Sequence, residues 1–229
     1  MVLLLVGAVL GLGLAPAGGE SIRSPFGVSA TRQLPSAQLR HTRRAMIEDR
    51  PVTINRLRAL ADAGDGLAAF NFAKILEAEH RSDLRADIAH YYAIAVHTGR
   101  VFAVNRLIET TDRGLAEGAF EGAATRLRQI GQALEFAAVH GNANAASRVA
   151  EAWRTGDLFG TQDAEKATEY GQLAIANGNL NLASQMIVEK AKAKDSDGLQ
   201  QVLELVGQNA NIGMLALGQN VVRLETDRN

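Results

Sequence analysis

His90 and His97 are the closest this chain of 229 residues comes to a pair of metal ligands. Imidazoles suit zinc and copper, but these two fall seven residues apart on one predicted helix, about 10 Å along its axis at about 1.5 Å per residue. That is too far for one ion to bridge, and both read as surface or boundary histidines. Glu165 and Glu169 are a helical turn apart, where solvated charge is the ordinary state. Asp195-Ser196-Asp197-Gly198 has the residue types of a calcium loop without the alternating ligand spacing or the closing Glu. It reads as a helix start capped by Ser196 or Asp197. Gly11-Leu12-Gly13 falls inside the apolar N-terminal run and carries no meaning for phosphate. G-x-S-x-G, P-loop and zinc motifs are absent. With no Cys in the chain, disulfides and thiolate metal sites are excluded. No residue qualifies as catalytic, cofactor-binding or metal-ligating, and the chain reads as a non-enzyme.

What recurs instead is a positioning pattern: a Gly after an Ala-rich helix end, then a small or apolar residue four places on and an apolar one eight places on. It appears as Gly64, Ala68 and Phe72; Gly99, Ala103 and Leu107; Gly141, Ala145 and Val149; and Gly178, Leu182 and Met186. The Gly-to-Gly steps are 35, 42 and 37 residues. Periods of about 33 to 47 residues belong to helix-pair repeats, in which each unit must stack on its neighbours to bury its apolar face. The spacing predicts helices over 38–48 and 53–63, broken at Asp49-Arg50-Pro51 and with Thr53 as an N-cap. It continues with helix pairs over 66–79 and 84–97, 101–113 and 123–139, 143–155 and 164–176, and 180–193 and 197–207. A last unpaired helix is predicted over 209–224.

The third unit fills the pattern most fully. Gly141, Ala145, Val149-Ala150, Trp153 and Gly156 are followed by Asp163, Lys166-Ala167, Tyr170, Ala174, Ala176 and Gly178. These residues resemble the Sel-one-like class of tetratricopeptide-type repeats. Ala145, Val149 and Trp153 are four apart and form one buried stripe, Asp163 caps the second helix and Gly178 ends it. The resemblance covers roughly residues 55 to 220 and implies an all-α, right-handed α-solenoid of four to five stacked antiparallel helix pairs. It further implies a protein-binding scaffold or adaptor. Its groove would be lined by the polar face of each first helix: Lys74 and Glu77, Asn105, Glu109 and Asp112, Asn144, Ser147, Glu151 and Arg154, then Asn181 and Ser184. The plain alternative is that these residues are merely solvated. Secreted members of the family described as hydrolases are Cys-rich, unlike this chain; a hydrolase with an unrecognised site or a wall-fragment-binding module is the competing reading.

Net charge is −1, which argues against nucleic acid as a partner. The sum hides an asymmetry: residues 20–58 hold eight Arg against Glu20, Glu48 and Asp49. Arg40, Arg43 and Arg44 there form either a patch for an anionic partner or a solvated helix face.

Met1 to Gly19 has no charged side chain and contains Ala15-Pro16-Ala17, a small-x-small site of the kind a signal peptidase accepts. The chain therefore reads as a signal peptide at 1–17, a lead-in over 18–36, a repeat domain over 37–224 and a polar tail at 225–229. It is expected to be exported to the periplasm or beyond, to bind another protein or peptide of the cell envelope, to need no cofactor and to keep no stable membrane span. A retained anchor is the alternative. Native protein should begin near Gly18; intact mass and N-terminal sequencing decide this, and a product retaining Met1 overturns it.

Overall fold

The computed structural model describes residues 27–28, 30–115 and 123–208. Among them the fold is all-α. Its helices are α1 (Ala37–Ile47), α2 (Ile54–Asp62), α3 (Gly66–Ala78), α4 (Arg85–His97), α5 (Phe102–Asp112), α6 (Ala123–Val139), α7 (Ala143–Thr155), α8 (Ala164–Ala176), α9 (Leu180–Lys192) and α10 (Ser196–Gln208). The helix over 209–224, the signal segment and the tail lie outside the described residues. No helix among the described residues is long and apolar enough to cross a membrane.

The helices end where the sequence places its glycines, for a reason visible in the backbone. Gly64, Gly99, Gly141 and Gly178 have φ of 85°, 81°, 92° and 95°. That left-handed region is sterically costly for residues with a Cβ. Each Gly amide donates to the carbonyl three residues back, and the next amide donates to the carbonyl five back, as in Gly141 to Ala138 at 3.1 Å and Asn142 to Ala137 at 3.0 Å. The residue after the Gly then opens the following helix. Asp65 accepts from the amides of Leu67 and Ala68, Asn142 from Ala145 and Asn179 from Leu182. Arg100 holds that place before α5, which begins without a side-chain cap. Asp163 caps α8 through the Lys166 amide at 3.0 Å. Before α10 the cap is Asp195, which accepts from the Gly198 amide at 2.9 Å, rather than Ser196 or Asp197. Thr53 stands at the start of α2, but its side chain makes no capping bond.

Packing follows the chain. Each helix meets its neighbours in sequence, and in addition α4 meets α6, α6 meets α8, α8 meets α10 and α5 meets α7. The exception is the second pair: α5 packs on α4 and α7, and α6 on α4, α7 and α8, in preference to each other. The core is built on alanine. Ala68, Ala89, Ala103, Ala138, Ala145 and Ala174 are fully buried, and small side chains at the contact allow close interaxial approach. One apolar cluster runs from Leu34 to Ala174; a smaller one of Ile175, Ala183, Ile187, Val202 and Val206 joins α8, α9 and α10. Gly131 lies within α6 where an added Cβ would stand 2.5 Å from the Phe159 ring. Phe159 stacks on Trp153, ring centroids 3.8 Å apart and planes 6° apart, and the Lys166 ammonium lies 3.9 Å from the centre of the Trp153 ring.

One ion pair is wholly inside. Asp65 is inaccessible to solvent, and its carboxylate, besides capping α3, accepts from the Arg43 guanidinium of α1. Arg43 also donates to the Thr31 hydroxyl at 2.5 Å. Of the three arginines on α1 only Arg44 is exposed; Arg40 donates to the Leu34 carbonyl at 2.8 Å. These arginines therefore form neither an outward patch nor a solvated face, because the helix turns Arg43 inward.

Two substitutions should move stability in opposite directions. Ala145→Leu overpacks the α7 contact and should cost about 1 to 3 kcal/mol. Lys194 has φ of 56° in the same pattern of amide bonds that the glycines make. Lys194→Gly should therefore stabilise by about 0.5 to 1 kcal/mol, since the left-handed penalty of about 1 to 2 kcal/mol exceeds the entropic cost of glycine. Denaturant unfolding followed by circular dichroism reads both.

Candidate functional site

The polar faces of α5 and α7 meet across an open cleft of about 560 Å³. Asn105, Glu109 and Asp112 come from α5 and Asn144, Ser147 and Glu151 from α7, with Ile108 and Arg148 between them. Spacings of three and four put each trio on one side of its helix, while the neighbouring stripe of Ala103 and Leu107, or Ala145 and Val149, is buried in the core. Lys74 and Glu77 of α3 line a second cleft of about 480 Å³ with Arg106 and Thr110 of α5. Ser147, Glu151 and Arg154 also border a third, of about 510 Å³, with Leu182 and Met186 of α9 and Val202 and Leu205 of α10. Asn181 and Ser184 are exposed on α9 and line none of the three; the Ser184 hydroxyl donates to the Leu180 carbonyl at 2.9 Å. The row that α9 turns to the third cleft is Leu182, Met186 and Glu189, and Asn181 points about 100° away from it.

Arg106 ties the first two clefts together. Its guanidinium lies 3.8 Å from the Glu77 carboxylate and 3.5 Å from that of Glu109. Glu77 in turn accepts from the Tyr92 hydroxyl at 2.8 Å; burial, and then this carboxylate, push the Tyr92 phenol far above its ordinary range. Among the described residues the only cation lining the α5–α7 cleft is Arg148, and its charge is already used. It is 7% exposed, 3.0 Å from Asp112 and 2.5 Å from Asp157, and also donates to the Thr111 hydroxyl at 3.2 Å. Glu109, Asp112 and Glu151 line this cleft, and each lies within an ion pair with an arginine: Arg106, Arg148 and Arg154 in turn. On its rim Arg154 pairs with Glu151 at 2.5 Å, both exposed.

No protein-family model, curated protein or solved structure matches this chain. Function must be argued from the geometry itself. Arg85, Arg106, Arg113 and Arg148 are the site residues that sequence reasoning passes over. Arg148 alone left a signal, as a charge set between Ala145 and Val149 on the helix with the sharpest pattern.

His90 and His97 line a separate cleft of about 380 Å³ with Asp62, Gly64, Gln129 and the lead-in residues Gly27 and Val28. His97 is buried at 6% exposure, not at the surface, because α4 is enclosed by α3, α5 and α6. Among the described residues no group of three or more His, Asp or Glu is placed to hold a metal ion. Burial holds both imidazoles below their ordinary pKa; for His90 the Arg126 charge adds to this. The unfolded chain therefore takes up protons first as pH falls, so stability should decline from pH 7.5 to 5.5. His97→Gln should flatten that decline. Urea midpoints at the two pH values read it, and an equal decline in parent and variant counts against the assignment.

Proposed function

We propose that the chain is a non-enzymatic, exported scaffold: a right-handed α-solenoid of Sel-one-like helix pairs that holds a segment of another cell-envelope protein along α3, α5 and α7. Regulation or signalling at the envelope is the process this suits. The observation that carries the reading is the run of three open clefts. Arg106 joins the α3–α5 cleft to the α5–α7 cleft, and Ser147 and Glu151 border both the α5–α7 cleft and the third. A surface elongated in this way suits an extended peptide better than a compact substrate, and stacked repeats supply such surfaces. Export is supported by the apolar N-terminus with Ala15-Pro16-Ala17.

The double variant Glu151→Arg, Arg154→Glu tests it, because the exchange keeps the pair on α7 and reverses its charges toward the groove. Surface changes of this kind shift stability by about 0.5 kcal/mol, so helicity and melting should hold. Capture of envelope partners should fall about tenfold or more, since a like charge at a complementary interface costs several kcal/mol. Equal recovery by parent and variant, or no partner and turnover of a small substrate by the parent, would replace the scaffold with the hydrolase reading.

A further inference from the structure

Among the described residues, the cleft between α3, the start of α4 and α5 is lined by Lys74, Arg81, Arg85, Arg106 and Arg113 against the single carboxylate of Glu77. Two of these cations have acidic partners. Arg81 lies 3.6 Å from Glu79 and 2.6 Å from Asp83, and Arg106 is shared between Glu77 and Glu109. Lys74, Arg85 and Arg113 form no ion pair among the described residues. Arg85 is nevertheless held in position, because its guanidinium donates to the Arg113 carbonyl at 2.9 Å. That bond ties the start of α4 to the end of α5.

We propose that this cleft binds the carboxylate side chains of an acidic peptide segment; the inference rests on the groove reading and names the chemistry of one end of its occupant. Guanidinium groups match the two oxygens of a carboxylate in a fork, so an orienting arginine such as Arg85 confers geometry as well as charge. The neighbouring cleft decides between a peptide and a continuous polyanion. Glu109, Asp112 and Glu151 stand beyond Arg106, and among the described residues the arginines there, Arg148 and Arg154, are already paired with carboxylates, so nucleic acid running past them would find no free cation for its phosphates. A peptide can follow its acidic residues with neutral or basic ones. The whole-chain charge of −1 is in keeping with a local site rather than a polyanion track.

The test uses the full chain and a fluorescent peptide of four consecutive Glu and Asp residues flanked by Gly and Ser, compared with its Gln and Asn twin by anisotropy. The acidic peptide should bind about tenfold or more tightly than the twin, weaken as salt rises, and lose about tenfold in Lys74→Glu, Arg113→Glu, both of them exposed positions. Arg85→Gln should lose affinity more than Arg85→Lys, which keeps the charge. Circular dichroism and melting should be unchanged in the exposed double variant. Equal binding of the twin, full affinity in the double variant, or tighter binding of a single-stranded oligonucleotide overturns the proposal. Failure here is separable from failure of the groove. If partner capture depends on Glu151 and Arg154 but the acidic peptide does not bind, only this assignment falls. If the acidic peptide binds through Lys74 and Arg113 while the α7 variant keeps every partner, the groove reading falls.

Discussion

The chain can pass from one helix pair to the next only by way of a left-handed residue, and the rest of the architecture hangs on that turn. A reversal with φ near 90° at Gly141 and Gly178 satisfies two carbonyls of the outgoing helix and delivers Asn142 or Asn179 to cap the incoming one. Each cap is worth about 1 kcal/mol, but its larger effect is angular: both helix ends are fixed by atoms within five residues of the Gly. The same asparagine-rich junction also reaches sideways. Asn177 donates to the Ala138 carbonyl at 3.0 Å, and Asn179 to the Ser147 hydroxyl at 2.8 Å. The turn after α8 is thus bonded both to the end of α6 and to α7.

Buried charge performs a related task at two other junctions. Arg43 holds α1 on the α2–α3 turn through Asp65, and Arg148 holds α7 on the end of α5 through Asp112 and Thr111. An ion pair taken out of water gains little net free energy over apolar residues of the same volume, because desolvation offsets the attraction. What such a pair constrains is position, since a guanidinium with three fixed acceptors tolerates no slide of one helix along the other. Arg148 illustrates the consequence for the groove. Its contact with Asp112 sets where α5 and α7 stand relative to one another, and so the width of the cleft that they line.

The helices were legible in the sequence because their signals are local. Gly, Asn and Asp punctuate the chain at the places where backbone geometry demands them, and α7 and α8 begin and end on the residues that the pattern indicates. Long-range facts were not legible. Nothing in the spacing of Arg40, Arg43 and Arg44 says which one finds Asp65, 22 residues away. His97 looks like its neighbour His90 until α6 covers it. The phase of α9 misled in a different way: with Leu182 in place of the usual Ala, the helix turns an apolar row to the third cleft, and Asn181 and Ser184 face elsewhere. Arg106 escaped notice because its importance is relational; only folding brings Glu77 and Glu109 to its two sides.

A buried stripe and an exposed polar row occupy adjacent sides of the same helices, and that division separates the alanine core from the side chains that line the clefts. On α5, Ala103 and Leu107 are fully buried while Asn105 and Glu109 are exposed; on α7, Ala145 and Val149 are fully buried while Asn144 and Glu151 are exposed. Exposed charges contribute little to folding, about 0 to 1 kcal/mol for a surface pair, so they can vary without endangering the stack. Small buried residues cannot vary in that way, because any added methylene must displace a neighbouring helix. Many of the side chains that line the clefts are therefore ones that the fold does not need; Arg148 and Asp112, which join α7 to α5, are exceptions. The stretch rich in unpaired cations and the stretch of paired carboxylates on either side of Arg106 can differ within a few residues for the same reason: each rests on a backbone already held by turns, caps and alanine contacts.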